Sequence, residues 1–259
     1  MNHMARQLIQ FKSLIWALVT RHLAMRYRGS LLGFLWSFLN PLCLMLVYSL
    51  VFRYYARMPG ISNYTVFLFT GLLPWLWISS ALSEATSSIA SSGHLITKSM
   101  FPAHILPLVP VITNFINYLL SLPLLFIFMW IDEIPFHSTL LFLPVLLAVQ
   151  FLTLQGLGLL LGSLNVYFRD IQHILGNLLT FLFFLCPILY TPANVPDQFR
   201  FSIDLNPLAQ FTISYHALIL DGVFPSLYSI AVMLGFMALS LIAGYMVFDR
   251  HSESFAELL

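Results

Sequence analysis

Long apolar runs alternate with short polar breaks along this chain, and the runs have the length of membrane-crossing helices. They occupy residues 30–52, 64–90, 105–130, 138–163, 172–190 and 224–247. A helix needs about 20 apolar residues to cross a bilayer, so the pattern predicts an all-α polytopic membrane protein with six transmembrane helices. Breakers sit inside several runs. Asn40-Pro41 predicts a kink in the first span, Gly71 and Pro74 loosen the second, and Pro107, Pro110 and Pro123 interrupt the third. Gly156, Gly158 and Gly162 let another helix approach the fourth closely.

Three stretches do not fit as spans. Residues 5–28 carry Leu8, Phe11, Ile15 and Leu18 on one side and Arg6, Gln10, Ser13, Thr20 and Arg21 on the other. That suits a helix in the headgroup plane or one packed on a protein neighbour. Residues 92–104, between spans two and three, are too polar for lipid and too short for a domain. A helical turn or two closed by Pro102 would stand out as a knob for a soluble partner. Residues 191–223 hold an apolar piece, Leu208 to Leu220, of only 13 residues. Short helices that dip into the membrane and return are expected there.

Composition fits a lipid solvent. Hydrophobic residues make up 59% of the 259 and charged residues 8%, against about 25% charge in soluble domains. The net charge of +1 gives no footing for nucleic acid. Its distribution is more telling. Eight of the 11 Lys and Arg fall on the side of the two termini, with 92–104 and 164–171, and three (Arg53, Arg57, Arg200) on the other. The positive-inside bias places both termini in the cytoplasm. Cys43 and Cys186 lie within apolar runs, which argues against a disulfide framework or a zinc site.

The chain carries no motor of its own. A P-loop needs a glycine-rich turn ending in Lys and Ser or Thr, and the two lysines, Lys12 and Lys98, lack that context. Ser163 and His173 stand ten apart with no nucleophile-elbow pattern, and the eight histidines show no metal-ligand spacing. Glu84 is the one ionisable residue within a span; it contacts polar cargo, pairs with a basic residue, or sits near enough to the interface to be wetted. Ser80, Ser83, Ser87 and Ser91 share a face that suggests close helix packing more than a wet lining. Aromatics make up 15% of the chain, and Phe34, Tyr48, Phe52, Trp75 and Trp77 are candidates to line a passage for sugars.

Several of these residues form a recognisable series. The chain opens with Arg26-Tyr27-Arg28-Gly29-Ser30-Leu31-Leu32-Gly33-Phe34-Leu35-Trp36 and Asn40-Pro41. Gly71-Leu72-Leu73-Pro74-Trp75 follows, then Leu95-Ile96-Thr97-Lys98 with Phe101-Pro102. Phe168-Arg169-Asp170-Ile171, Pro187-Ile188-Leu189-Tyr190 and Asn206-Pro207-Leu208 complete it. In that order the series resembles the polysaccharide-exporting ABC transporter permeases, which include O-antigen and teichoic acid exporters. The resemblance implies a half-transporter in a bacterial inner membrane. Two copies would form the channel, and two copies of a separate ATPase would bind beneath and hold the ATP and Mg, with no cofactor in this chain. The interface helix would carry Arg21, Arg26 and Arg28. The ATPase-coupling helix would comprise His94, Leu95, Ile96, Thr97, Lys98, Ser99, Met100 and Phe101. Gate helices would fall on about 197–221, with Tyr190, Asn206 and Pro207 joining Glu84 and the aromatics as channel or gate candidates. The cargo implied is a lipid-linked polysaccharide, most like O-antigen. Capsular polysaccharide, teichoic acid or a drug is the alternative cargo. A membrane-embedded glycan-modifying enzyme is the rival class, and it would need a catalytic cluster.

Overall fold

A computed structural model describes residues 10–55, 61, 63–94 and 101–258. All regular structure among them is helical. Helix α1 spans Lys12–Tyr27. Helix α2 (Trp36–Ser49) is preceded by a 3-10 turn at Gly33–Leu35 and followed by a π turn at Leu50–Tyr55. Helices α3 (Tyr64–Ser91), α4 (Ile105–Ile131) and α5 (Leu143–Tyr167) follow, then α6 (Asp170–Leu185). A short α7 (Phe201–Asp204) leads to α8 (Pro207–His216), α9 (Leu227–His251) and a terminal turn, α10 (Phe255–Leu258).

Among the described residues, five helical segments are long and apolar enough to cross a membrane: Gly33–Phe52, Tyr64–Ser91, Ile105–Ile131, Ser138–Tyr167 and Leu227–His251. The fifth run of the sequence behaves differently. Its helix begins at Asp170 and stops at Leu185, short of the expected 190. Pro187 explains the stop, because the residue before a proline is pushed out of helical geometry, and Cys186 adopts ψ 140°. Sixteen residues rise about 24 Å, less than the roughly 30 Å of hydrocarbon.

Helix α3 is the hub. Of its most apolar stretch 78% is buried, against 22% for the first span and 17% for α9, so the latter two present most of their surface to lipid. It packs along α4 and α5 and touches α2, α6 and α8. Pro74 does not break it; the Pro74 carbonyl accepts a bond from Gln150 Nε2 at 3.3 Å, which ties the hub to α5. Helix α8 starts with Asn206 as its N-cap, accepting from the Leu208 N–H at 3.0 Å, and Pro207 fills the first turn, where no donor is needed. It is mostly buried against α3, α5 and α9, and is too short to cross a bilayer. At its end His216 stacks on Phe67 of α3 (ring centroids 4.1 Å apart), its Nε2 lies 3.0 Å from the Phe67 carbonyl, and Gly71 leaves room for the imidazole.

The glycines of the fourth run act as the sequence predicts. Gly158 and Gly162 receive Ala85, Ile89 and Pro107 from α3 and the start of α4. Gly156 faces Gly244 of α9, and a Cβ on either would collide with the other helix's backbone. Backbone cannot yield as a side-chain tip can, so Gly244→Ala should cost about 3 kcal/mol. Gly235, on the same helix with open space beside it, is the control. Thermal unfolding in detergent checks this: Gly244→Ala should melt far below Gly235→Ala, and equal melting temperatures would refute the close crossing.

At one end of the bundle the ends of α3, α5 and α9 and the beginning of α4 converge. Ile89, Ala103, Leu106, Leu159, Val166 and Phe248 form a buried cluster closed by Phe255 of α10. Helix α1 lies beside this end. Val19 is buried against Ile105 and Val109 of α4, with Phe11, Leu14, Ile15 and Leu18 around them. The apolar side expected for residues 5–28 thus packs on protein, while Trp16 and Met25 stay exposed on α1. Residues 5–9, Leu8 included, lie outside the described residues.

Candidate functional site

Glu84 sits near the end of α3 that faces α1, and it is paired. Its Oε1 contacts the Arg26 guanidinium of α1. Its Oε2 accepts from Asn114 Nδ2 of α4 at 3.0 Å and lies 3.9 Å from His22 Nε2. Arg26 also donates to Asn114 Oδ1 at 3.1 Å. Asn114 in turn donates to the Pro110 carbonyl at 2.9 Å, and His22 Nδ1 meets Thr113 Oγ1 at 3.3 Å. Three helices are therefore stitched by one carboxylate. Burial holds the His22 imidazole below its ordinary range, the Glu84 charge opposes this, and Arg26 adds to it. The charged pair is then Arg26 and Glu84, with the neutral imidazole beside it.

A second polar layer lies on the α2 side of this pair. The Tyr27 hydroxyl bonds Ser37 Oγ and donates to Asn117 Oδ1 at 3.3 Å. Ser37 also reaches Asn117 Oδ1 at 3.4 Å, and Ser121 donates to the Ser37 carbonyl at 3.3 Å. The link from α1 to α2 turns at Gly29 (φ 79°) and Gly33 (φ 47°), a left-handed geometry that glycine adopts without strain. Trp36 Nε1 donates to Ser30 Oγ at 3.0 Å across this turn. Between α1, α2, α3 and α4 these side chains border a cavity of about 460 Å³. A neighbouring cavity of about 380 Å³ lies on the other side of the ion pair and includes Arg21, His22, His94 and Ser87. Arg26 lines the first cavity and Glu84 the second, so the pair forms part of the wall between them.

The serine face of α3 borders these spaces instead of packing on a helix. Ser80 lines the first cavity; Ser87 and Ser91 line the second. The sequence favours close packing for this face; at Ser80, Ser87 and Ser91 it borders cavities instead, while Ser83 lines neither.

Residues 13–220 match the ABC-2 type transporter family, a stretch that runs from α1 to the end of α8 and takes in both polar layers. The chain belongs to this family. Among its relatives, the O-antigen export system permease protein RfbA of Myxococcus xanthus is 39% identical, with 99% of each chain covered. RfbA of Klebsiella pneumoniae is 32% identical over 95% of each, and the polysialic acid transport protein KpsM of Escherichia coli 27% over 86% of each. The similarity and the apolar helices make this ABC-2 chain a multi-pass membrane protein.

The other residues singled out in the ABC-2 chain fall in separate places. Arg21 and Arg28 are exposed, and only Arg26 of the three basic residues enters the ion pair. His94 is exposed at the second cavity, and Phe101 packs half-buried on the Phe248–Phe255 cluster. Leu95, Ile96, Thr97, Lys98, Ser99 and Met100 lie outside the described residues. The five aromatics divide. Phe34 is exposed beside Tyr27 and Phe38. Tyr48 stacks on Phe183 at 5.6 Å and touches Phe52, and Trp75 packs on the same Phe183. Trp77 is buried, bonded to the Val111 carbonyl at 3.3 Å, and borders the first cavity. Tyr190 donates to the Phe184 carbonyl at 2.9 Å, and Asn206 and Pro207 begin α8.

Sequence reasoning missed His22, Tyr27, Ser37, Asn114 and Asn117. The signal was present in Thr113-Asn114 and Asn117: carboxamides three apart in an apolar span mark a polar interior face as surely as a charge does.

Proposed function

We propose that this chain is the membrane-spanning subunit of an ABC exporter. It moves a lipid-linked polysaccharide, O-antigen foremost, across a bacterial inner membrane. A separate ATPase subunit supplies the force by hydrolysing Mg-bound ATP. The observation that carries this reading is 39% identity to an O-antigen export permease, with 99% of both chains covered. Capsular polysaccharide is the second cargo, favoured by the likeness to a polysialic acid transport protein.

In this reading the single permease domain has six spans: the five long segments and, as the fifth in order, α6 with the residues up to Tyr190. Both termini and the 92–104 loop face the cytoplasm. The loop is the coupling element, and the convergence of helix ends around Phe101 supports it, since a push there is shared by α3, α4, α5 and α9. The re-entrant gate is α7 and α8, and the burial of α8 within the bundle suits a plug. The transporter contains two copies of this chain and two of the ATPase. Support for the second copy comes from α6. It exposes His173 and Asn177 one turn apart, polar groups that a lipid-facing helix would leave unsatisfied; Thr180 on the same face already donates to the Gly176 carbonyl at 3.0 Å. A second copy set against α2 and α6 would let that face border a wet passage.

Deletion of the gene tests the proposal. The strain should lose surface polymer and accumulate lipid-linked glycan on the cytoplasmic side, both reversed by the gene in trans. Normal surface polymer in the deletion strain would sink it, and the chemistry of the stored glycan decides between the two cargoes.

A further inference from the structure

The 460 Å³ cavity between α1, α2, α3 and α4 falls within the roughly 300–1,000 Å³ of small-molecule sites. Its lining is unusual for a site inside a membrane protein. Asn40 and Ser80 make no hydrogen bond to another described residue. Asn117 uses its carbonyl for Tyr27 and Ser37, which leaves its NH₂ group to the cavity. Trp36, an exposed residue of the lining, contributes indole surface, whereas Trp77 is buried and packs on Phe115 and Tyr118. Helical rise puts Asn40 about 6 Å inside the end of its helix and Ser80 and Asn117 about 16–18 Å inside theirs, so the lining runs from near one membrane surface toward the middle of the bilayer.

Three kinds of occupant can be weighed by chemistry. An acyl chain would strip water from the free amides and return no bonds, at a cost for each. A phosphate would seek free cations, but among the described residues the only charged group in the lining is Arg26, whose guanidinium is committed to Glu84 and Asn114. An uncharged, hydroxyl-rich ring finds what it needs: carboxamides that donate and accept, a serine hydroxyl, and the Trp36 indole for a C–H face. We propose that this cavity is a binding site for an uncharged sugar residue of the lipid-linked glycan. The assignment rests on the export reading above and adds to it where the permease itself touches the saccharide.

The test uses the full chain in lipid nanodiscs and two probes. One is a polyprenyl diphosphate bearing an N-acetylhexosamine disaccharide, the other the same polyprenyl diphosphate without sugar. Wild-type chain should bind the sugar-bearing probe more tightly. Asn117→Leu should weaken that binding about 5–10-fold, the worth of one or two hydrogen bonds, and leave the bare probe within twofold. Asn117 also accepts bonds from two neighbours, so Asn40→Leu is the second variant. Its side chain holds nothing in place, and it should show the same selective loss. If both variants bind the sugar-bearing probe as wild type does, or lose both probes equally, the site is overturned while the export reading stands. If wild-type chain binds neither probe, the export reading fails and takes the site with it.

Discussion

Lys98→Glu combined with Phe101→Ala should leave this protein in the membrane and abolish export. The two residues flank the expected coupling element in different ways. Phe101 is the foot: it packs on the cluster where Ile89, Leu106, Val166, Phe248 and Phe255 meet. Truncating a half-buried phenylalanine costs less than the roughly 3–5 kcal/mol of a fully buried one, so the spans stay assembled. What is lost is the stiff seating of the loop on four helix ends. Lys98, outside the described residues, is the one lysine of the loop, and a reversed charge there opposes any acidic groove in the ATPase. Membrane fractionation should show normal amounts of the variant, while surface polymer falls to the level of the deletion strain. Wild-type surface polymer would remove the coupling assignment.

Arg26→Glu should be the most damaging single substitution in the polar layers. It sets two carboxylates against each other beside Asn114 and His22, and it removes the cation that helps hold the His22 imidazole below its ordinary range. Breaking a buried pair costs about 3–5 kcal/mol. Here the side chains are 31% and 28% exposed, so solvent screens part of the repulsion and about 2 kcal/mol is the expected loss. The double exchange Arg26→Glu with Glu84→Arg should recover at least half of it. Glu84→Gln should be milder, because an amide can still accept from Arg26. Melting temperatures of the three variants in detergent provide the check. If the double exchange is no better than the single, the pair is not what fastens α1 to α3 and α4.

Five of the six expected spans were legible in the sequence because lipid imposes one demand on every outward position; the run at 172–190 read as a sixth, but its helix stops at Leu185. Even the short α8 could be read, since 13 apolar residues cannot cross. What stayed hidden depended on neighbours distant in sequence. Glu84 announced itself as a functional carboxylate, but Arg26 lies 58 residues away and only the packing of α1 on α4 brings it there. The serines of α3 read as a packing face because small residues serve both tight contacts and wet walls. Which it is depends on how closely the neighbouring helices approach. The aromatics stayed undivided for a related reason: composition marks them as able to meet sugars, but not that Trp75 packs on Phe183 while Trp77 is buried beside the first cavity.

One consequence concerns how a signal crosses the bilayer. Helix α3 is clasped at one end by Glu84 and Arg26 and at the other by Phe67 and His216, and the climb from Phe67 to Glu84 is about 25 Å. In the export reading proposed above, a rotation of this axle would be felt by α1 at its base and by α8 at its tip together, with no relay through intermediate loops. Gly158 and Gly162 of α5, set close against Ala85 and Ile89, couple the axle to its neighbour, so that α5 would follow the turn.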